Sequence, residues 1–402
     1  MTRKWIWSSG LLLAMALVCL ARQKSFAANE RWVATWGCAP QLVEQRNLPP
    51  PPGLAGNTLR QVVHVTIGGK RLRARFSNAF GDGSMTLAEV HFALSAGGGA
   101  IQANTDLALK FHGVSSVTIP PEEMVWSDAF DFNLAAMTNV AMTICFGKVP
   151  AAITGHPGSR ATSYLFPGDA GTAANMPGAV TTQHWYVLTG IDTVADDSAA
   201  AVIVLGDSIT DGRGSTTDGN NRWPDDLAQR LLTNKLPSRI AVINEGIGGN
   251  AVLSGGLGPT AMARFDRDVL EQRGAKWIVV FEGVNDISAS RDASVATNLI
   301  AAYGKFIDKS RAKGLKVFGA TITPFGRSQY SSPEHEAARK TVNDWIRASG
   351  RFDAVIDFDA AVRDPSEPAN LLPVYDTGDN LHLNPSGYRA MADAMDLKLF
   401  GQ

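Results

Sequence analysis

The rhythm of apolar residues changes once along this chain, and that change constrains the fold more than any other feature. From Arg31 to about Thr193 apolar residues recur with a period near two, punctuated by turn residues at short intervals. Arg71-Leu72-Arg73-Ala74-Arg75-Phe76 alternates strictly, as a strand does when one face is buried and the other is wet. The run before it, Arg60 to Ile67, ends at Gly68-Gly69, so the two segments read as a hairpin. Met85 to Ser95, Leu107 to Phe111, Val114 to Ile119 and Val140 to Phe146 continue in the same style. No segment here has convincing helical periodicity. Residues 28–195 are therefore expected to form an all-β sandwich or jelly-roll domain.

After the acidic, small-residue stretch Asp192 to Ser198 the pattern is different. Ala201-Val202-Ile203-Val204-Leu205 is a continuous apolar run, the mark of a strand buried on both faces. Similar runs occur at Ile240 to Ile243, Trp277 to Phe281, Leu315 to Ile322 and Ala354 to Phe358. Amphipathic helical stretches lie between them, at Pro224 to Leu232, Val295 to Lys313 and Pro333 to Ala348, with a last helix expected from about Pro385 to Leu399. Alternating strands and helices make a parallel sheet with helices on both faces, so residues 199–402 read as an α/β domain.

Composition fits two globular domains. The 402 residues are 45% hydrophobic and 19% charged, enough for a large core and too balanced for disorder. Lys plus Arg number 37 against 38 Asp plus Glu, and no Lys/Arg-rich run appears. Nothing here has the electrostatic footprint of a nucleic-acid binder.

The first residues read as an address. Arg3 and Lys4 precede an apolar stretch from Gly10 to Leu20, Arg22 ends it, and Ser25-Phe26-Ala27 offers small residues for cleavage. The stretch is shorter than the ~20 residues a spanning helix needs. Val18 before Cys19 argues against lipidation. Residues 1–27 are thus expected to be a cleavable signal peptide, and the mature protein to be secreted or periplasmic, with no stable membrane insertion. Cleavage leaves Cys38 and Cys145, and sequence leaves two readings open: a disulfide, or two buried free thiols.

Ligands of parallel sheets gather at the carboxyl ends of the strands, and four blocks stand at or near such ends. They are Gly206-Asp207-Ser208-Ile209-Thr210, Asn244-Glu245-Gly246-Ile247-Gly248-Gly249-Asn250, Glu282-Gly283-Val284-Asn285-Asp286, and Asp379-Asn380-Leu381-His382 before the last helix. In this order and spacing they resemble the SGNH (GDSL) hydrolase superfamily, over essentially all of residues 199–402. The resemblance implies a flavodoxin-like sheet and an esterase without a cofactor. It also implies an oxyanion hole built from the N–H groups of Ser208 and Gly249 and the Asn285 side-chain amide.

The chemistry explains why these residue types are needed. A serine hydroxyl is a poor nucleophile until a base takes its proton. His382 is suited to that task, and Asp379 sits close enough to hold its other ring nitrogen. Of seven His only His335 and His382 fall in the α/β half, and His335, between Glu334 and Glu336, is expected to be solvated. Taken singly, the motifs have ordinary readings. Gly206-Asp207-Ser208 alone is a common turn, Asn285-Asp286 a helix cap, and Asp379-x-x-His382 a surface pair. It is the four in register that point to catalysis.

Two other chemistries are disfavoured. Gly246-Ile247-Gly248-Gly249-Asn250-Ala251 matches a dinucleotide-binding fingerprint, but Ser254-Gly255-Gly256-Leu257-Gly258-Pro259 breaks the helix such a site requires. No H-E-x-x-H, C-x-x-C or clustered His pair offers a metal site. The wider pattern, including Gly212 to Asp218 and Asn221-Arg222-Trp223-Pro224, is similar to an exported two-domain subfamily of these hydrolases. That likeness implies acetyl ester hydrolysis on plant polysaccharide such as xylan. The alternatives are a general small-ester or lipid acylhydrolase, or a carbohydrate-binding protein with a weak esterase domain. Trp223 reads as a core or turn residue before it reads as a sugar platform. The oligomeric state is not legible in the sequence.

Overall fold

The computed structural model describes residues 30–401 except 235, 237, 238 and 291–293. The expected signal peptide lies outside the described residues. Among those described, no helix is long and apolar enough to cross a membrane.

Up to Val194 the chain is mostly antiparallel strands in several sheets. The principal ones are β1 (Trp32–Gly37), β2 (Thr58–Val65), β3 (Gly69–Ser77), β4 (Met85–Gly97), β5 (Thr138–Phe146) and β6 (Leu188–Val194). β6 lies between β1 and β3 in one sheet. In the other, β5 lies between β2 and β4. The inward faces of both sheets share one core: Leu72, Ala74 and Phe76 of β3 meet a cluster that includes Val63 and Val65 of β2 and Val140, Met142 and Ile144 of β5. The strict alternation of β3 is obeyed, since Arg71, Arg73 and Arg75 point away from that core. Arg73 stacks on Trp32 and Trp126 and reaches Asp192 at 2.8 Å.

The expected β2–β3 hairpin does not form. Both edges of β2 are occupied, by β5 on one side and by Ser163–Phe166 on the other. Gly68-Gly69 instead carries the chain from one sheet to the facing one, which lets both alternating faces reach the same core.

From Ala199 onward a five-stranded parallel sheet begins: β7 (Ala199–Gly206), β8 (Arg239–Gly246), β9 (Ala275–Phe281), β10 (Lys316–Ala320) and β11 (Ala354–Ile356), in spatial order β8-β7-β9-β10-β11. This is the flavodoxin-like order, whose switch point lies at the first strand. Successive residues of β7 feed different cores. Ala201, Ile203 and Leu205 join one cluster, and Val202 and Val204 the other. Six helices matter for the site: α1 (Ser208–Asp211), α2 (Trp223–Thr233), α3 (Val284–Ala289), α4 (Ser294–Ala312), α5 (Pro333–Ala348) and α6 (Pro385–Asp393). α4 and α5 cover the first core, α2 and α6 the second. Each of α5 and α6 has proline in its first turn and a polar cap before it, Ser332 and Asn384. α6 ends earlier than the periodicity suggests, and a separate 3-10 turn covers Leu397–Phe400.

The two halves share a core. Val33 and Ala34 of β1, with Ile67, belong to the same cluster as Ala241 and Ile243 of β8. Trp223 is fully buried and packs edge-on against Phe358, so it is a core residue. Cys38 and Cys145 are both free and buried, which settles the open pairing in favour of thiols.

Candidate active site

The first three blocks stand at the carboxyl ends of β7, β8 and β9, and the fourth lies in the loop that leads into α6. β7 ends at Gly206, and Asp207 then caps α1 by accepting the Ile209 N–H at 2.9 Å. Ser208 is therefore the first residue of a short helix at the switch point of the sheet. Its Oγ lies 2.8 Å from His382 Nε2. His382 Nδ1 lies 2.7 Å from Asp379 Oδ2. Because Asp379 only accepts, Nδ1 carries the proton and Nε2 is left to take the one on Ser208.

Electrostatics match this arrangement. Burial is the largest influence on His382 and pulls its pKa below 6.5; Asp379 opposes that, while Arg213 and Arg160 reinforce it. Burial pushes the Asp379 carboxyl up, but the His382 backbone and side chain and the Leu381 N–H outweigh it and hold it at about 2. A neutral imidazole beside a permanent carboxylate is the form a general base needs.

The residues expected to donate to an oxyanion line the same cleft as His382. Gly249 has a left-handed backbone, φ 73°, which glycine adopts without strain. Gly249, Asn285 and Ser208 line one cleft together with His382. Asn285 is the second residue of α3, and its amide is held at both ends. Nδ2 donates to Asn250 O at 2.8 Å, and Oδ1 accepts from Tyr330 Oη at 3.1 Å. One Nδ2 hydrogen remains for a ligand. Asp286 ties α3 to the glycine loop by accepting the N–H groups of Val252 and Leu253, both at 2.8 Å. No helix begins within the glycines; the next starts at Ala261, after the glycine-rich run that the sequence leads one to expect will break it.

Beneath the site lies a buried charge network. Arg264 donates to Glu245 O, Gly206 O and Asn250 Oδ1 and contacts Asp268 and Glu282. Burial pushes Glu245 and Glu282 well above the usual carboxyl range, and Asp207 to about 7.

The sandwich half supplies the other wall of this cleft of about 720 Å³ through Glu44, Asn47, Pro157, Arg160 and His184. His156 Nε2 lies 2.9 Å from Asp211 Oδ1, both side chains buried, while Nδ1 donates to Ala39 O at 2.9 Å. A side chain at Gly158 would collide with Asp211 Oδ2 at 1.7 Å, so that loop can sit against α1 only as glycine. Sequence reasoning misses His156, Arg160, Asp211 and Tyr330. Asp211 had a signal, one turn after Ser208; the others have none, since their partners are far away in sequence. His335 is also corrected: it is half-buried and tied down rather than simply solvated, with ring nitrogens 2.6 Å from Tyr330 O and 3.0 Å from Ser290 O.

Residues 204–390 match the model of the GDSL-like Lipase/Acylhydrolase family. The C-terminal half is a GDSL hydrolase domain of the SGNH superfamily. Every residue expected at the site falls within the matched span. Among solved structures, the chain is similar to the acetyl xylan esterase AlAXEase (25% identity, 48% of this chain and 97% of that one, TM-score 0.37). It is similar to a member of the lipolytic protein G-D-S-L family from Veillonella parvula (21%, 48% and 95%, TM-score 0.35). It is also similar to an acetylxylan esterase from Geobacillus stearothermophilus (20%, 48% and 91%, TM-score 0.36). No curated protein matches the chain. Family membership makes the GDSL half an ester hydrolase.

Proposed function

We propose that the protein is a secreted or periplasmic serine esterase that removes small acyl groups, chiefly acetyl, from plant polysaccharide such as xylan. The observation that carries the esterase reading is the Ser208–His382–Asp379 relay, with links of 2.8 and 2.7 Å, open to a cleft. Ser208 Oγ attacks the acyl carbon while His382 Nε2 takes its proton, and Asp379 stabilises the resulting imidazolium. The N–H groups of Ser208 and Gly249 and Nδ2 of Asn285 receive the oxyanion. His382 then gives its proton to the departing alkoxide, leaving acyl-Ser208. Water, deprotonated by the same imidazole, attacks the acyl carbon and releases the acid. No cofactor or metal enters any step.

The cleft supports a short acyl group and a polar alcohol. It is lined largely by polar and charged side chains and glycines, with Leu257 its one large aliphatic residue. A long-chain acyl group would need an extended apolar wall. The acetylated polysaccharide is what likeness to the exported two-domain esterases implies. The test is acetate release from acetylated xylan and from a small aryl acetate, by wild type and by Ser208→Ala. Release of xylan acetate by wild type alone supports both nucleophile and substrate. Cleavage of the aryl ester with xylan untouched would keep the mechanism and overturn the polysaccharide.

A further inference from the structure

Two arginines stand beside Ser208 and His382 with no carboxylate hydrogen-bonded to either guanidinium among the described residues. Arg160 comes from the sandwich half and Arg213 from the loop after α1, and both line the cleft. Arg160 has a left-handed backbone, φ 52°, a conformation that a non-glycine residue keeps only when its surroundings impose it and that clusters at functional sites. Its Nε is buried with no hydrogen-bond partner. Its one ion pair is long: Asp211 Oδ2 is 3.8 Å from Nη2, beyond hydrogen-bond reach, while Oδ1 of the same carboxylate meets His156. Arg213 is exposed, and no ion pair to it exists among the described residues. On its far side the cleft continues into a second depression past Asp379 and His382; the arginine there, Arg327, is taken by Glu367. Glu44, the other acid on the cleft wall, is held by Gln41 and Asn47.

This placement is costly for the chemistry unless the substrate answers it. Catalysis puts a positive charge on His382, and Arg160 and Arg213 oppose that charge, with Asp379 alone favouring it directly. An anion bound between the two guanidiniums removes the opposition, and only in the complex. The alcohol portion of an ester lies on the His382 side, because His382 must protonate the departing oxygen, whereas the Gly249–Asn285 side receives the carbonyl oxygen.

We infer that Arg160 and Arg213 form a carboxylate-recognition pair, and that the preferred substrates are esters whose alcohol portion is acidic, such as acetylated acidic sugars. The inference rests on the esterase reading above. A carboxylate seated there gains charge-assisted, fork-shaped contacts. It also eases formation of the imidazolium, so kcat improves as well as KM.

The test compares para-acetoxybenzoate with its neutral isostere para-acetoxybenzamide. Wild type is expected to favour the acid by at least about tenfold in kcat/KM, the scale of one hydrogen bond to a charged group. Arg160→Gln and Arg213→Gln should each bring that ratio towards one, and Arg213→Lys should restore part of it. Arg213 is exposed, so its variants fold even if Arg160→Gln does not. A wild-type ratio near one, or a ratio that neither substitution alters, overturns the inference while the esterase reading stands on cleavage of the acetate ester of para-acetoxybenzamide. Failure to cleave either ester overturns both.

Discussion

Around Ser208 few side-chain atoms are free to move. Asn285 has its amide fixed from both sides, by Asn250 O and by Tyr330 Oη. Asn285→Ala should lower kcat by about 10²–10³, the usual loss of one oxyanion donor; unchanged turnover would remove Asn285 from the hole. Tyr330→Phe leaves the donor present but lets the amide rotate. A fall of roughly tenfold in kcat with KM nearly constant is expected, since the contact matters when the oxyanion forms. If KM rose and kcat held, Tyr330 would be a binding residue instead. The pH profile is a third expectation. His382 must be neutral to accept the proton, and its pKa lies below 6.5. Activity should therefore hold as pH falls past 6.5 and drop only below it. Asp379, at about 2, contributes nothing to that limb. An acid limb above 6.5 would contradict the picture of a desolvated base.

At the scale of elements, the sequence was most readable where burial is two-sided. β7, β8 and β9 are continuous apolar runs because helices or the sandwich cover both faces, and the blocks that follow them land together at the switch point. The hairpin expected at Gly68-Gly69 failed for the converse reason. Period two says which face of a strand is buried but not which strand lies beside it, and β2 found its neighbours at β5 and Ser163–Phe166. The loop from β7 into α1 carries its own prediction. Asp207 is raised to about 7, and Glu245 and Glu282 are raised too. In the folded state these groups keep their protons where the unfolded chain has lost them. Between about pH 4 and about pH 7 the folded form binds more protons, so stability falls as pH rises through that window, by up to about 1.4 kcal/mol per pH unit for each group. His382, pulled the other way by burial, opposes this fall. Asp207→Asn keeps an acceptor for the cap and should flatten the fall of Tm between about pH 5 and about pH 7. An unchanged slope would mean that Asp207 is ionised in the fold.

At the scale of the molecule, the cleft belongs to both halves. The residues that meet at Ser208 were legible because they sit in compact blocks of one domain. The wall that faces them was not, because His156 and Arg160 act across the interface with no motif to mark them. His156 meets Asp211 on the helix that begins at Ser208, and burial of both makes the contact expensive to break. His156→Ala should destabilise the protein by about 3–5 kcal/mol and lower kcat by disturbing α1, as read by denaturant unfolding and by turnover of a small aryl ester. Wild-type stability with wild-type turnover would show that the sandwich merely adjoins the site.

In the proposed mechanism Ser208 carries the acyl group between two half-reactions. Rapid quenching of the wild type with an activated acetate ester, followed by peptide mass analysis, tests it most directly. One added acetyl group is expected on the peptide containing Ser208, with its absence in Ser208→Ala and loss of turnover in that variant. Acetyl on another residue, or continued hydrolysis by Ser208→Ala, would contradict it.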